Sequence, residues 1–174
     1  MKIFILILLL LLGVSSSLLS AEYKPTGQWI DRQSMVTADL PQAGDIPYLL
    51  LDFEYKNNEK PKAYKFDFNS DGTEDFLVES SDSLCGTGGC PYALIDGASQ
   101  KRIGDFFGSP LLFHKSKIND WPIVHSYAHL SFSSGNYSVF VFGNSKYNEV
   151  ARITLKEKSI SDYFESINHF QKIR

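Results

Sequence analysis

Short runs in which apolar and polar side chains change places at every step, broken by turn-forming residues, dominate the chain from Ala63 onward. A period of two is the signature of half-buried strands. Tyr64, Phe66 and Phe68 alternate, and Phe76 and Val78 resume the alternation after an acidic turn. Tyr92–Ile95 is a short apolar run closed by the turn signal Asp96–Gly97, and Leu111–Phe113 is another. Ile123–Phe132 and Tyr137–Phe142 flank SSGN, which reads as a hairpin connection, and Val150–Leu155 alternates again. The expected fold class is therefore mainly β (α+β): an antiparallel sheet built of hairpins with one or two minor helices.

Two stretches carry helical spacing instead. In DIPYLLLDFEY, Ile46, Leu49, Leu50 and Phe53 recur as on one helix face, with Asp45 as N-cap and Pro47 in the first turn. Leu49, Leu51, Phe53 and Tyr55 also alternate, so a strand competes with the short helix that we prefer here. The tail SISDYFESINHF places Ile160, Phe164 and Ile167 on one face, with Ser159 or Ser161 as cap. Residues 22–44, with Pro25, Gly27, Pro41 and Gly44, read as irregular, Trp29 and Ile30 docking onto the core.

The first residues, MKIFILILLLLLGVSSSLLSA, have one lysine, an apolar run and a small, polar end. That is the layout of a secretory signal peptide, and the run is shorter than the roughly 20 residues a spanning helix needs. A signal peptide over 1–21 leaves one β-rich domain over 22–174, about 150 residues and enough for one core. Removing Lys2 from the 17 basic residues, against 20 acidic ones, leaves a net charge near −4. No basic cluster stands out, which argues against nucleic acid as a partner. The expected location is periplasmic or secreted, with no stable membrane insertion after cleavage.

Export gives the two cysteines a meaning. An even pair in an oxidising compartment is most simply a disulfide, here Cys85–Cys90. In CGTGGC the three glycines permit the backbone angles that so small a ring demands. A catalytic dithiol usually needs C-x-x-C at a helix N-terminus, and neither the spacing nor the context fits.

Between two alternating runs lies FDFNSDGTED, with the pattern D-x-N-x-D-G-x-x-D from Asp67 to Asp75. Calcium takes six to eight oxygen ligands. Alternate side chains of a tight loop can turn towards one ion: Asp67, Asn69 and Asp71, then the Thr73 carbonyl, then Asp75 directly or through water. Gly72 allows the sharp turn at the sixth position. The pattern resembles the DxDxDG calcium loops of EF-hands, dockerins and FG-GAP/VCBS-type β-repeats. It departs from an EF-hand at the twelfth position, where Val78 stands in place of a bidentate glutamate and Glu79 falls one residue late. Its flanks are aromatic and alternating, so the resemblance favours the strand-flanked version, with Glu79, Asp82 or a carbonyl completing the shell. An Asx-rich turn without an ion has the same composition. With CGTGGCPYALID, IGDFFGSPL and NDWPIVHSY, the chain also resembles small exported bacterial proteins of uncharacterised function, which implies export and fold but no activity.

No catalytic residue is assigned. His125 and His129 share a face on either a helix or a strand but lack further ligands at zinc spacing, and read as hairpin-face or surface residues. Phe106, Phe107, Trp121 and Tyr127 read as core before binding patch. The leading expectation is a non-enzymatic exported protein with a structural calcium loop. A periplasmic protein-binding module, an inhibitor of or immunity factor against an envelope hydrolase, is the first alternative, and a metal-dependent hydrolase the second.

Overall fold

The computed structural model describes residues 27–40, 50–56, 59–162 and 165. The proposed signal peptide, the stretch 41–49 that begins the first helical expectation, and most of the tail lie outside them. Ten strands are described: β1 Gly27–Ile30, β2 Val36–Thr37, β3 Lys62–Phe66, β4 Asp75–Glu79, β5 Cys90–Asp96, β6 Lys101–Gly108, β7 Leu111–Ile118, β8 Trp121–Ser131, β9 Ser134–Gly143 and β10 Lys146–Lys156. They form two five-stranded antiparallel sheets, ordered β1-β7-β8-β9-β10 (sheet I) and β2-β3-β4-β5-β6 (sheet II). The fold class is the one the alternation implies.

The sheets meet through one apolar layer. Sheet I contributes Ile30, Leu111, Phe113, Trp121, Val124 and Tyr147; sheet II contributes Leu77, Tyr92, Leu94, Ile103 and Phe106. Phe68, two residues beyond β3, stacks on Phe113 with ring centroids 4.3 Å apart. The opposite face of sheet II is covered as well, since Ala63, Phe76, Val78, Ala93 and Ile95 pack with Ala38, Leu50 and Phe53. The central strands of sheet II, β4 and β5, are thus covered on both sides. That is why β4, DFLVE, is buried at every residue, although its two ends are acidic.

Several expectations are refined. Of the stretch 22–44, the described residues 27–40 are more regular than expected: β1 joins the edge of sheet I and β2 the edge of sheet II, linked by a 3-10 turn at Arg32–Ser34 that Asp31 caps. Trp29 and Ile30 are buried, as expected. The helix expected from Asp45 survives, in its described part, only as a 3-10 turn at Leu51–Phe53. Residues 158–162 are helical, in line with the tail's spacing. The β8–β9 turn falls at residues 132–133, ahead of most of SSGN. Among the described residues, no helix is long and apolar enough to cross a membrane.

Candidate metal centre

The acidic loop joins β3 to β4, and its side chains fold back onto its own amides. Both Asp67 oxygens accept, Oδ1 from the Asp71 N–H and Oδ2 from the Gly72 N–H, each at 3.0 Å. Asn69 Oδ1 accepts from the same Asp71 N–H at 3.0 Å, and Asp71 Oδ1 accepts from the Thr73 N–H at 2.7 Å. The Asn69 amide donates to Asp71 Oδ2 at 2.8 Å. These short-range bonds are what Asp and Asn offer a turn. They turn the first, third and fifth side chains of the motif onto the loop's own backbone amides. Gly72, at φ 89°, takes the left-handed conformation that a side chain resists. Hydrogen bonds from Asn69 and from the Thr73 N–H hold the exposed Asp71 carboxyl below its ordinary range. Lys117 Nζ reaches across from β7 to Ser70 Oγ at 2.7 Å and ties the loop to sheet I. Beside this tether lies a groove of about 530 Å³, lined among others by Phe66, Asp67, His114 and Lys115.

Asp75 behaves differently. It opens β4, is fully buried, and bridges two other segments: Oδ2 accepts from the Phe68 N–H at 2.9 Å and Oδ1 from the Gly97 N–H at 3.0 Å. Gly97 can come this close because it lacks a side chain; a Cβ there would collide with the Glu74 carbonyl. Burial pushes the Asp75 carboxyl up to about 6, against the pull of the two amides. No salt bridge to Asp75 is found among the described residues.

Glu79 closes the same strand, also buried, at 1% exposure. Here a cation is present. Arg32 Nε donates to both carboxylate oxygens at 3.3 Å, and the Tyr92 hydroxyl donates to Oε2 at 3.2 Å. The Tyr55 hydroxyl donates to the Glu79 carbonyl. Asp82 is drawn into the same cluster by Arg32 at 2.5 Å and Lys62 at 3.3 Å. Glu79 and Asp82, considered above as completing ligands for the loop, therefore belong to the Arg32 cluster. Cys85 and Cys90 are bridged, with Cα atoms 4.3 Å apart, and no other cysteine exists. A disulfide of this kind persists in oxidising compartments.

Among the described residues, three donor atoms of His, Cys, Asp or Glu come within 4.8 Å of one another at one place, Glu79 with Cys85 and Cys90. In the acidic loop the Asp67, Asn69 and Asp71 oxygens accept from the loop's own amides, and both Asp75 oxygens face the Phe68 and Gly97 amides, so Asp67, Asp71 and Asp75 do not form such a group. His125 and His129 both lie on β8, but not as surface residues alike. His125 is buried, stacks on His114 with centroids 5.7 Å apart and bonds the Tyr137 hydroxyl. Burial pushes it down to about 4. His129 Nδ1 lies 3.4 Å from the Tyr127 hydroxyl. Phe106, Trp121 and Tyr127 are core, whereas Phe107 is half exposed. Sequence reasoning missed the Arg32–Glu79–Tyr92 cluster; its one signal was a second acidic residue closing a strand whose middle, Phe76–Val78, is apolar.

The chain matches no family model, no curated protein and no solved structure.

Proposed function

We propose that this is an exported, non-enzymatic β-rich protein, periplasmic or secreted, whose Asp67–Asp75 loop binds calcium as a structural ion. The observation that carries the reading is the contrast along β4. Both ends of a doubly buried strand bear a carboxylate, Arg32 neutralises one, and the other, Asp75, meets only amides. A cation in the adjoining loop relieves that charge. Asp67, Asn69 and Asp71 supply side-chain oxygens, Thr73 its carbonyl, and Asp75 acts through water, as the ninth position often does. With no twelfth ligand, affinity falls in the weak range of extracellular modules, about 10⁻⁴–10⁻³ M. The ion holds the β3–β4 connection and, through Lys117 and Ser70, its contact with sheet I.

The experiment is isothermal titration of calcium into chelator-treated protein, with Asp71→Ala alongside. The reading expects one weak site per chain, lost in the variant. A wild type without calcium heat, or a variant that binds equally well, contradicts it.

A further inference from the structure

The disulfide spans a hairpin that carries its own backbone hydrogen bonds. Gly86 and Gly89 form an antiparallel bridge, with Gly86 N–H donating to the Gly89 carbonyl at 2.9 Å and Gly89 N–H to the Gly86 carbonyl at 3.1 Å. Cys85 and Cys90 flank that bridge, so the backbone hydrogen bonds as well as the S–S bond set them side by side. One step further out, Ser80 N–H donates to the Pro91 carbonyl at 3.0 Å and continues the β4–β5 ladder. That ladder brings Glu79 beneath the sulfurs. A buried carboxylate and two sulfurs thus converge, all three donor atoms within 4.8 Å of one another.

We propose that Glu79, Cys85 and Cys90 form a redox-gated zinc site, closed while the disulfide is intact and opened when it is reduced. A dithiol reductant supplies two electrons and two protons by thiol–disulfide exchange. The S–S bond breaks, the reductant leaves as its own disulfide, and Cys85 and Cys90 become thiols. Zn²⁺ displaces both thiol protons and binds two thiolates and a Glu79 oxygen, and water fills the fourth position of the tetrahedron. Zinc–sulfur and zinc–oxygen bonds of about 2.3 and 2.0–2.2 Å require the two sulfurs to move apart once their bond is broken, with the Glu79 oxygen already within 4.8 Å of both.

Charge favours the arrangement. Two thiolates and one carboxylate carry three negative charges; Zn²⁺ and the Arg32 guanidinium carry three positive ones. Arg32 and the Tyr92 hydroxyl already bond Glu79 and serve as the outer partners that orient a ligand. Cys85 is half-buried while Cys90 and Glu79 are buried, so reductant and ion enter from the Cys85 side. Arg32 Nε reaches both Glu79 oxygens, so one oxygen can turn to the ion while the other keeps the guanidinium.

The test uses the purified protein, reduced with a phosphine (which ends as phosphine oxide, its oxygen from water), and Co²⁺ as the probe. The expected result is one thiolate-bound cobalt per chain, with a thiolate-to-cobalt charge-transfer band in the near ultraviolet and intense visible bands of tetrahedral cobalt, all displaced by zinc. The oxidised protein and Cys85→Ser/Cys90→Ser should show neither. Glu79→Gln should keep the thiolate band and weaken affinity at least about tenfold. Should that variant not fold, X-ray absorption of the wild-type zinc form should show two sulfurs and two lighter neighbours. A reduced wild type without the thiolate band, a Glu79→Gln variant of unchanged affinity, or a zinc shell of four sulfurs overturns the proposal. Cobalt in the acidic loop gives no thiolate band, so the outcome is independent of the calcium reading.

Discussion

Asp75 and Glu79 sit at the two ends of one five-residue strand, equally buried, and are satisfied in opposite ways. Asp75 takes backbone amides from Phe68 and Gly97; Glu79 takes side chains, Arg32 and Tyr92. Amides solvate a carboxylate but carry no net charge, so burial still pushes Asp75 up to about 6. A guanidinium compensates the charge itself. The strand teaches that hydrogen-bond satisfaction and charge compensation are separate requirements. At the Asp75 end only the first is met by the chain, and there we place calcium.

The largest effect belongs to the compensated end. Glu79→Ala removes the acceptor shared by Arg32 and Tyr92 and leaves a hole in a doubly covered sheet. Breaking a buried pair of this kind costs about 3–5 kcal/mol, and Arg32's partial exposure puts the expected loss near 3. Urea unfolding at neutral pH measures it. A loss below about 1 kcal/mol would mean that the cluster is incidental.

At the other end the expected sign reverses with pH. Asp75 has a folded value of about 6 against an ordinary 3.8, so the folded chain takes up the proton first. Stability from this group is full below 3.8 and is lost as pH rises through 6. The difference is about 3 kcal/mol. Unfolding curves between pH 3 and 7 should show this increment in wild type and not in Asp75→Asn. Saturating calcium should flatten it, because the ion holds Asp75 ionised. Identical pH profiles for wild type and variant would break the contrast drawn along β4.

Replacing both cysteines by serine probes the hairpin beside Glu79. Loop-entropy arithmetic for a six-residue ring gives about 2 kcal/mol. The Gly86–Gly89 bridge should keep the turn in place. Amide exchange at Gly86 and Gly89 should therefore remain protected in the variant, and loss of that protection would show that the bond makes the hairpin.

What the residues reveal unaided follows the same division. The acidic loop is legible because its partners are its own next neighbours: Asp67 reaches Asp71 and Gly72, and Asp71 reaches Thr73. The strands are legible where one face is buried and the other polar. β6 escaped notice because Gly104 interrupts KRIGDFFG and the β5 pairing shifts register at Leu94/Ile95. The β8–β9 turn was misplaced because Ser134 and Gly135 look like turn residues yet pair with Ser131 and His129. Gly135 is a strand residue since the Tyr127 ring fills the space a Cβ would need. The Glu79 cluster was out of reach because its guanidinium comes from Arg32, 47 positions away. Nothing local marks Arg32 as its partner.

The central claim is that a cation completes the Asp75 end of β4, and thermal unfolding with and without calcium tests it most directly. At ten times Kd, a ligand bound only by the folded state adds about 1.4 kcal/mol, or roughly 3–6 °C in Tm for a chain of this size. The account predicts that rise in wild type, its reversal by chelator and its absence in Asp71→Ala. A Tm that ignores both calcium and chelator would contradict it.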